Sequence, residues 1–143
     1  MKHSQLYALS KRYSPPTVNL QQGKILDDHG IETYAKLTID HEMPENVSRD
    51  ELNYYPHVYA FLKAEDLLFY FYPIFIAFEI DRNLECIDSF MFSLDRNLPQ
   101  LISWITLAEQ EILTDYLKTL LEIDGNEYIH WQTLENVLTL VMK

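Results

Sequence analysis

The sequence has one cysteine, three glycines and no long apolar run, and each scarcity removes a class of protein. A single thiol, Cys86, allows no internal disulfide and no thiolate metal cluster. Glu85 and Asp88 stand beside it, whereas a reactive thiolate needs positive charge nearby, so Cys86 reads as a buried, inert thiol. The lack of disulfides fits a reducing compartment. Three isolated glycines cannot build a phosphate-binding loop or a dinucleotide fingerprint, and they are too few for the turns of an all-β protein. The most apolar segment, Leu67 to Phe78, is 12 residues long, short of the roughly 20 that cross a bilayer. Met1-Lys2-His3-Ser4-Gln5 leads into no apolar stretch, so no secretory signal is expected, and the expected location is the cytoplasm.

Catalytic and metal signatures are equally scarce. No serine lies in a G-x-S-x-G elbow, and neither an H-E-x-x-H helix nor an EF-hand loop is present. Asp27-Asp28-His29 and Asp40-His41-Glu42 come nearest to a ligand set. Successive side chains on a helix point about 100° apart, however, so three consecutive residues cannot converge on one ion. No catalytic residue, no metal and no cofactor is expected from these patterns, and an enzyme of unknown type ranks last among the readings.

Positive charge is the next shortage. The net charge is −11, with 22 Asp and Glu against 11 Lys and Arg. The asymmetry is internal as well. Residues 1–26 hold Lys2, Lys11, Arg12 and Lys24 and no acid, so the remaining residues carry −15. Affinity for nucleic acid comes mostly from basic side chains that neutralise phosphates, so neither nucleic acid nor an anionic membrane is an expected partner. A basic protein is, because an acidic surface steers one toward it.

What is present is helical periodicity, broken by prolines into segments of unequal length. A chain of 143 residues has the size of a single domain, and neither a repeat nor a linker divides it. Leu6, Leu9 and Tyr13 predict a helix over His3 to Tyr13, stopped by Pro15-Pro16. Residues 14–26 read as irregular, with Gly23 as a turn residue. Ile31, Tyr34, Ala35, Leu37 and Thr38 predict a helix reaching about Glu42 and closed by Pro44. Ser48-Arg49-Asp50-Glu51 is a capping box for a short helix that Pro56 ends.

The segment from Ala64 through Ile80 alternates aromatics as a strand might. Its acidic start, its length and its apolar character on every face favour a buried helix, despite Pro73. Ile87, Phe90, Met91 and Leu94 predict a shorter helix that stops near Asn97 and Pro99, with Leu98 to Ile105 as a connector carrying Trp104. Thr106-Leu107-Ala108-Glu109 is a second capping box. It opens an amphipathic helix with Leu107, Ile112, Leu113, Tyr116, Leu117, Leu120 and Leu121 on its apolar face, ending at Asp124-Gly125. Trp131, Leu134, Val137, Leu138 and Val141 predict a last helix. The expected fold is all-α, an irregular multi-helix array around a central aromatic-rich helix.

Two phrases carry a resemblance. Asp50-Glu51-Leu52, then Phe61-Leu62-Lys63-Ala64-Glu65-Asp66-Leu67 and Tyr70-Phe71-Tyr72-Pro73-Ile74-Phe75, resemble an uncharacterised bacterial family with an aromatic-aromatic-Leu-Pro-Ala phrase. Trp104-Ile105-Thr106-Leu107-Ala108-Glu109-Gln110, running into Tyr116-Leu117, is similar to that family's closing helix. The resemblance covers Ser48 to Leu121. Tyr72 stands where the family has leucine and Ile74 where it has alanine. It implies a helical fold and no assigned activity, so it transfers no functional residue.

One segment stands out as a surface for a partner. Asp40, Glu42, Glu45, Asp50 and Glu51 face a single base, Arg49, and Tyr54 and Tyr55 follow. Acids beside exposed tyrosines suit the grip of a basic protein, since tyrosine is enriched among interface anchors. A solvated loop with both tyrosines turned inward is the plain alternative. These features point to a binding protein of the immunity or antitoxin type, which neutralises a basic, toxin-like partner. A self-associating, homodimeric helical module is the alternative.

Overall fold

The computed structural model describes residues 3–16, 20, 43–54, 58–81 and 86–124. Among these are five α-helices, two 3-10 turns and no strand, so the fold is all-α. The helices are α1 (Ser4–Arg12), α2 (Arg49–Tyr54), α3 (Ala64–Ile80), α4 (Cys86–Trp104) and α5 (Leu107–Asp124). The 3-10 turns, Pro44–Asn46 and Tyr59–Phe61, sit before α2 and before α3.

The array is organised around α3. Twelve of its 17 residues are buried, and they lie on every side of the axis. Such a helix is stable only when other elements surround it. Helices α1 and α4, α2 and the Pro44–Asn46 turn all pack on it. Phe69, Phe71, Phe75 and Phe78 are fully or almost fully buried along it, each stabilising the fold by roughly 1.5–3 kcal/mol through burial. Their rings meet neighbours edge to face, as Phe71 does with Phe90 of α4 and Phe75 with Tyr116 of α5. Helix α1 brings Leu6 and Leu9 to this core and leaves Lys11 and Arg12 in its own last turn, where cations suit the helix dipole.

Both predicted caps open their helices, the second as a full capping box. Ser48 Oγ accepts the Glu51 N–H at 3.1 Å. At α5 the exchange is reciprocal: Thr106 Oγ1 accepts the Glu109 N–H at 3.1 Å, and Glu109 Oε1 accepts the Thr106 N–H at 2.9 Å. Arg12 adds a further ion pair to that same carboxylate oxygen, so the start of α5 is tied to the end of α1.

Two expectations are corrected. Pro99 does not end α4, and Leu98–Ile105 is no connector, since the helix continues to Trp104 with Pro99 inside it. Leu94, Leu98 and Leu101 are buried at helical spacing across the proline, and that continuous apolar face outweighs the lost hydrogen bond. Leu107 does not join the core face of α5 either. It is 77% exposed, because it occupies the first position after the cap and points away from the stripe begun at Leu113. The helices predicted near residues 31–42 and 131–141, the glycines at 23 and 125, and Tyr55 lie outside the described residues. No described helix is long and apolar enough to cross a membrane.

Candidate functional site

The acidic segment singled out from the sequence divides in three. Asp40, Glu42 and Tyr55 lie outside the described residues, and for Tyr54 only the backbone, at the end of α2, is described. Glu45 and Asp50 are exposed. Glu51 is not: it is 4% exposed, turned inward by its position in the first turn of α2 beside the buried Leu52. Glu51 is therefore removed from any surface that a partner touches. Asp27, Asp28, His29 and His41 also lie outside the described residues. Among the described ones, no three His, Cys, Asp or Glu side chains are grouped to hold a metal ion.

Glu45 borders a groove of about 370 Å³ that the sequence does not announce. One wall is the segment Pro44, Glu45, Val47 and Arg49, and the floor is the second half of α3. The floor residues Pro73, Ile76, Ala77 and Ile80 follow the i, i+3, i+4, i+7 spacing of one helix stripe. Pro73 and Ala77 are buried, Ile76 is half-buried and Ile80 is 74% exposed, so the stripe opens from core to solvent along its length.

Each end of the groove carries a carboxylate with a defined neighbour. At the Tyr72 end, the Tyr7 ring packs edge-on against Tyr72, with centroids 5.2 Å apart. The nearby Glu45 carboxylate, ahead of desolvation, raises the Tyr7 phenol above its usual pKa. At the Ile80 end, Asp81 caps α3 and pairs with Arg49, Oδ2 to Nη2, at 3.2 Å. Arg49 is the one base among the described residues lining the groove, and it directs its charge to Asp81.

A smaller cavity of about 210 Å³ opens between α1, α3 and α5. His3, Phe75 and Tyr116 form its aromatic wall, and Asp115 borders it. His3 Nε2 meets Glu79 Oε1 at 2.8 Å. Burial, then the nearby Glu79 and Asp115 charges, raises the Tyr116 phenol. Cys86 is fully buried. The adjacent Tyr59 phenol is pushed well above its usual value, by burial first and then by Cys86. That environment disfavours charge and suits a packed thiol rather than a nucleophile.

The sequence pointed to Glu45 and Asp50, which are exposed, and did not point to Tyr7, Tyr72, Ile76 and Ile80 at or beside the groove. The apolar stripe of α3 was a usable signal for the last two, since a helix apolar on every face has one face to spare. No family model, no curated protein and no solved structure matches the chain.

Proposed function

We propose that this chain is a non-catalytic, cytoplasmic binding protein of the immunity or antitoxin type, which neutralises a basic protein partner by covering it. The observation that carries this reading is the groove: an apolar floor ending in the exposed Ile80, with Glu45 on its rim and Asp50 one residue past its wall. An apolar centre with a polar, charged rim is the usual anatomy of a protein interface. The surplus of 11 negative charges favours a basic partner and speeds its approach. The resemblance to an uncharacterised bacterial family fits a bacterial setting for such a pair.

The test is capture followed by rescue. The tagged chain, exposed to lysate of its source organism, is expected to retain one basic protein in equal amount at low salt and to lose it as salt rises. Co-expression of the chain with that protein should relieve whatever toxicity the protein has alone. A captured protein that is acidic, or one whose effect the chain does not relieve, would overturn the reading.

Self-association is the second reading, and it has its own observation. Trp104 (43% exposed) and Leu107 (77% exposed) stand together at the corner between α4 and α5. Paired corners of this kind bury apolar surface in a homodimer. Light scattering separates the two, because a self-associating module is dimeric without any partner.

A further inference from the structure

We infer that the outer face of α4 docks a second copy of this chain, the two α4 helices packing antiparallel about a two-fold axis at Asp95 and Arg96. The inference goes beyond the neutraliser reading and does not depend on it, because no α4 residue lines the groove. It also differs from pairing at the Trp104 and Leu107 corner, which would use the end of α4 instead of its middle.

Helix α4 packs on α3 and on the Tyr59–Phe61 turn, and Ile87, Met91, Leu94, Leu98 and Leu101 are buried on its inner side. Opposite them, Asp88, Phe92, Arg96, Pro99 and Ser103 form an exposed stripe at steps of three and four residues. Two members of this stripe are out of place on a solvated face. Phe92 is 56% exposed. Pro99 lacks an N–H and crowds the preceding turn, yet its exposed ring makes little core contact to offset that cost. A neighbour outside the chain gives both rings a surface to pack on.

The symmetry of the stripe identifies that neighbour. Phe92 precedes Asp95 by three positions and Pro99 follows Arg96 by three, while Asp88 and Ser103 stand four further out on either side. In an antiparallel pair with its two-fold between positions 95 and 96, Phe92 is level with Pro99 of the second copy, and Arg96 with Asp95. Each contact then occurs twice, as a self-complementary interface requires. Ring meets ring at both ends of a span of about 10 Å, with two ion pairs between. Among the described residues neither Arg96 nor Asp95 has an ion-pair partner in its own chain, so both charges are available. Two chains of net charge −11 repel, which favours the one register that twice sets a base against an acid. One face of a 19-residue helix is smaller than the roughly 800 Å² per partner of a standard interface. The pair is therefore reversible, with a dissociation constant on the order of 10–100 µM, and the dilute chain is monomeric.

The test is sedimentation velocity of the full chain from about 1 to about 500 µM, across which the native protein is expected to pass from monomer to dimer. Arg96→Asp sets acid against acid and Asp95→Arg sets base against base, so each variant alone should pair at least about tenfold more weakly. An equimolar mixture of the two should pair again, because every base then meets an acid. That recovery also shows that both variants are folded. Pro99→Ala should weaken pairing severalfold even where it stabilises the monomer, and Leu107→Ser at the corner should leave pairing unchanged. A native chain that stays monomeric throughout, pairing that survives both charge reversals, or a mixture that fails to recover overturns the inference. Pairing abolished by Leu107→Ser alone overturns it in favour of the corner. A chain that never pairs but still captures a basic partner sinks the pairing and leaves the neutraliser reading in place.

Discussion

Tyr72 gives its backbone N–H to Ser10 Oγ at 3.0 Å, and the same hydroxyl donates to the Leu68 carbonyl at 2.7 Å. Leu68 and Tyr72 are the i−4 and i partners that an uninterrupted helix joins directly. Ser10, fully buried on α1, therefore occupies a rung of α3 one residue before Pro73, which itself has no N–H to offer the Phe69 carbonyl. The core helix tolerates its proline where a neighbouring helix supplies a hydroxyl. Ser10→Ala removes that hydroxyl inside the core, and the expected loss is about 1–3 kcal/mol for unpaired buried polar groups. In urea titrations the midpoint should fall while the slope stays unchanged. A loss below about 0.5 kcal/mol would mean that Leu68 and Tyr72 close the rung themselves.

Glu109 links three events: it completes the cap of α5, accepts the Thr106 N–H and pairs with Arg12 of α1. Burial by itself raises this carboxyl, but the Thr106 N–H and the Arg12 guanidinium outweigh it, and the net shift is below the ordinary value of 4.5. A carboxyl lowered in the folded state favours folding once the unfolded chain has also ionised. That contribution is full above about pH 4.5 and disappears as pH falls through the lower folded value. Urea midpoints of the native protein and Glu109→Gln should therefore differ at pH 7 and converge as pH falls from 4.5 through the lower folded value. Thr106→Ala should cost about 1 kcal/mol at any of these pH values, since it removes a neutral cap.

The sequence was most legible where one local rule was enough. The Thr106 box has both of its hydrogen bonds, and α3 begins and ends where its composition changes, at Ala64 and Ile80. Legibility failed where two rules competed or where the partner was distant. Pro99 signals a stop, but the buried Leu94, Leu98 and Leu101 bind that face to the core on both sides of it. Glu51 follows Ser48 as the third residue of a cap and also reads as a surface acid; its N–H is capped by Ser48 Oγ, and its burial removes the surface role. Ser10 and Leu68 are 58 positions apart, and Arg12 and Glu109 are 97 apart, so nothing local marks either pair. The groove combines both difficulties, since its floor is on α3 and its rim is on the turn before α2.

Pro99 allows the competition inside α4 to be measured. Its ring is exposed, so replacing it removes little core contact. Pro99→Ala restores an N–H for the Asp95 carbonyl and relieves the clash of the ring with that turn. Against this, alanine frees the unfolded chain, which offsets roughly 0.4–1 kcal/mol. The net expectation is a gain of about 1–2 kcal/mol from the intrinsic helix preference of alanine, read as a higher urea midpoint. A loss would show that the proline sets a bend which the packing of Leu98 and Leu101 requires.

Charge reversal separates the acids of the candidate surface from the acid that only adjoins it in sequence. Glu45 and Asp50 are exposed, so Glu45→Lys with Asp50→Lys should leave the melting temperature within about 2 °C, as surface substitutions do. The same double change should reduce capture of a basic partner at least tenfold at low salt and slow its association more than it speeds its release, because rim charges act mainly on encounter. Glu51→Lys should do the opposite. It places an ammonium at a position that is 4% exposed, beside the buried Tyr59 and Tyr70, whose phenols already feel the Glu51 charge. A destabilisation of several kcal/mol is expected from burying that charge, visible as a melting temperature lower by about 10 °C or more. Should the Glu45 and Asp50 pair bind as well as the native chain while Glu51→Lys unfolds, the acidic rim is a solvated edge and the partner docks elsewhere, with the Trp104 and Leu107 corner as the next surface to change.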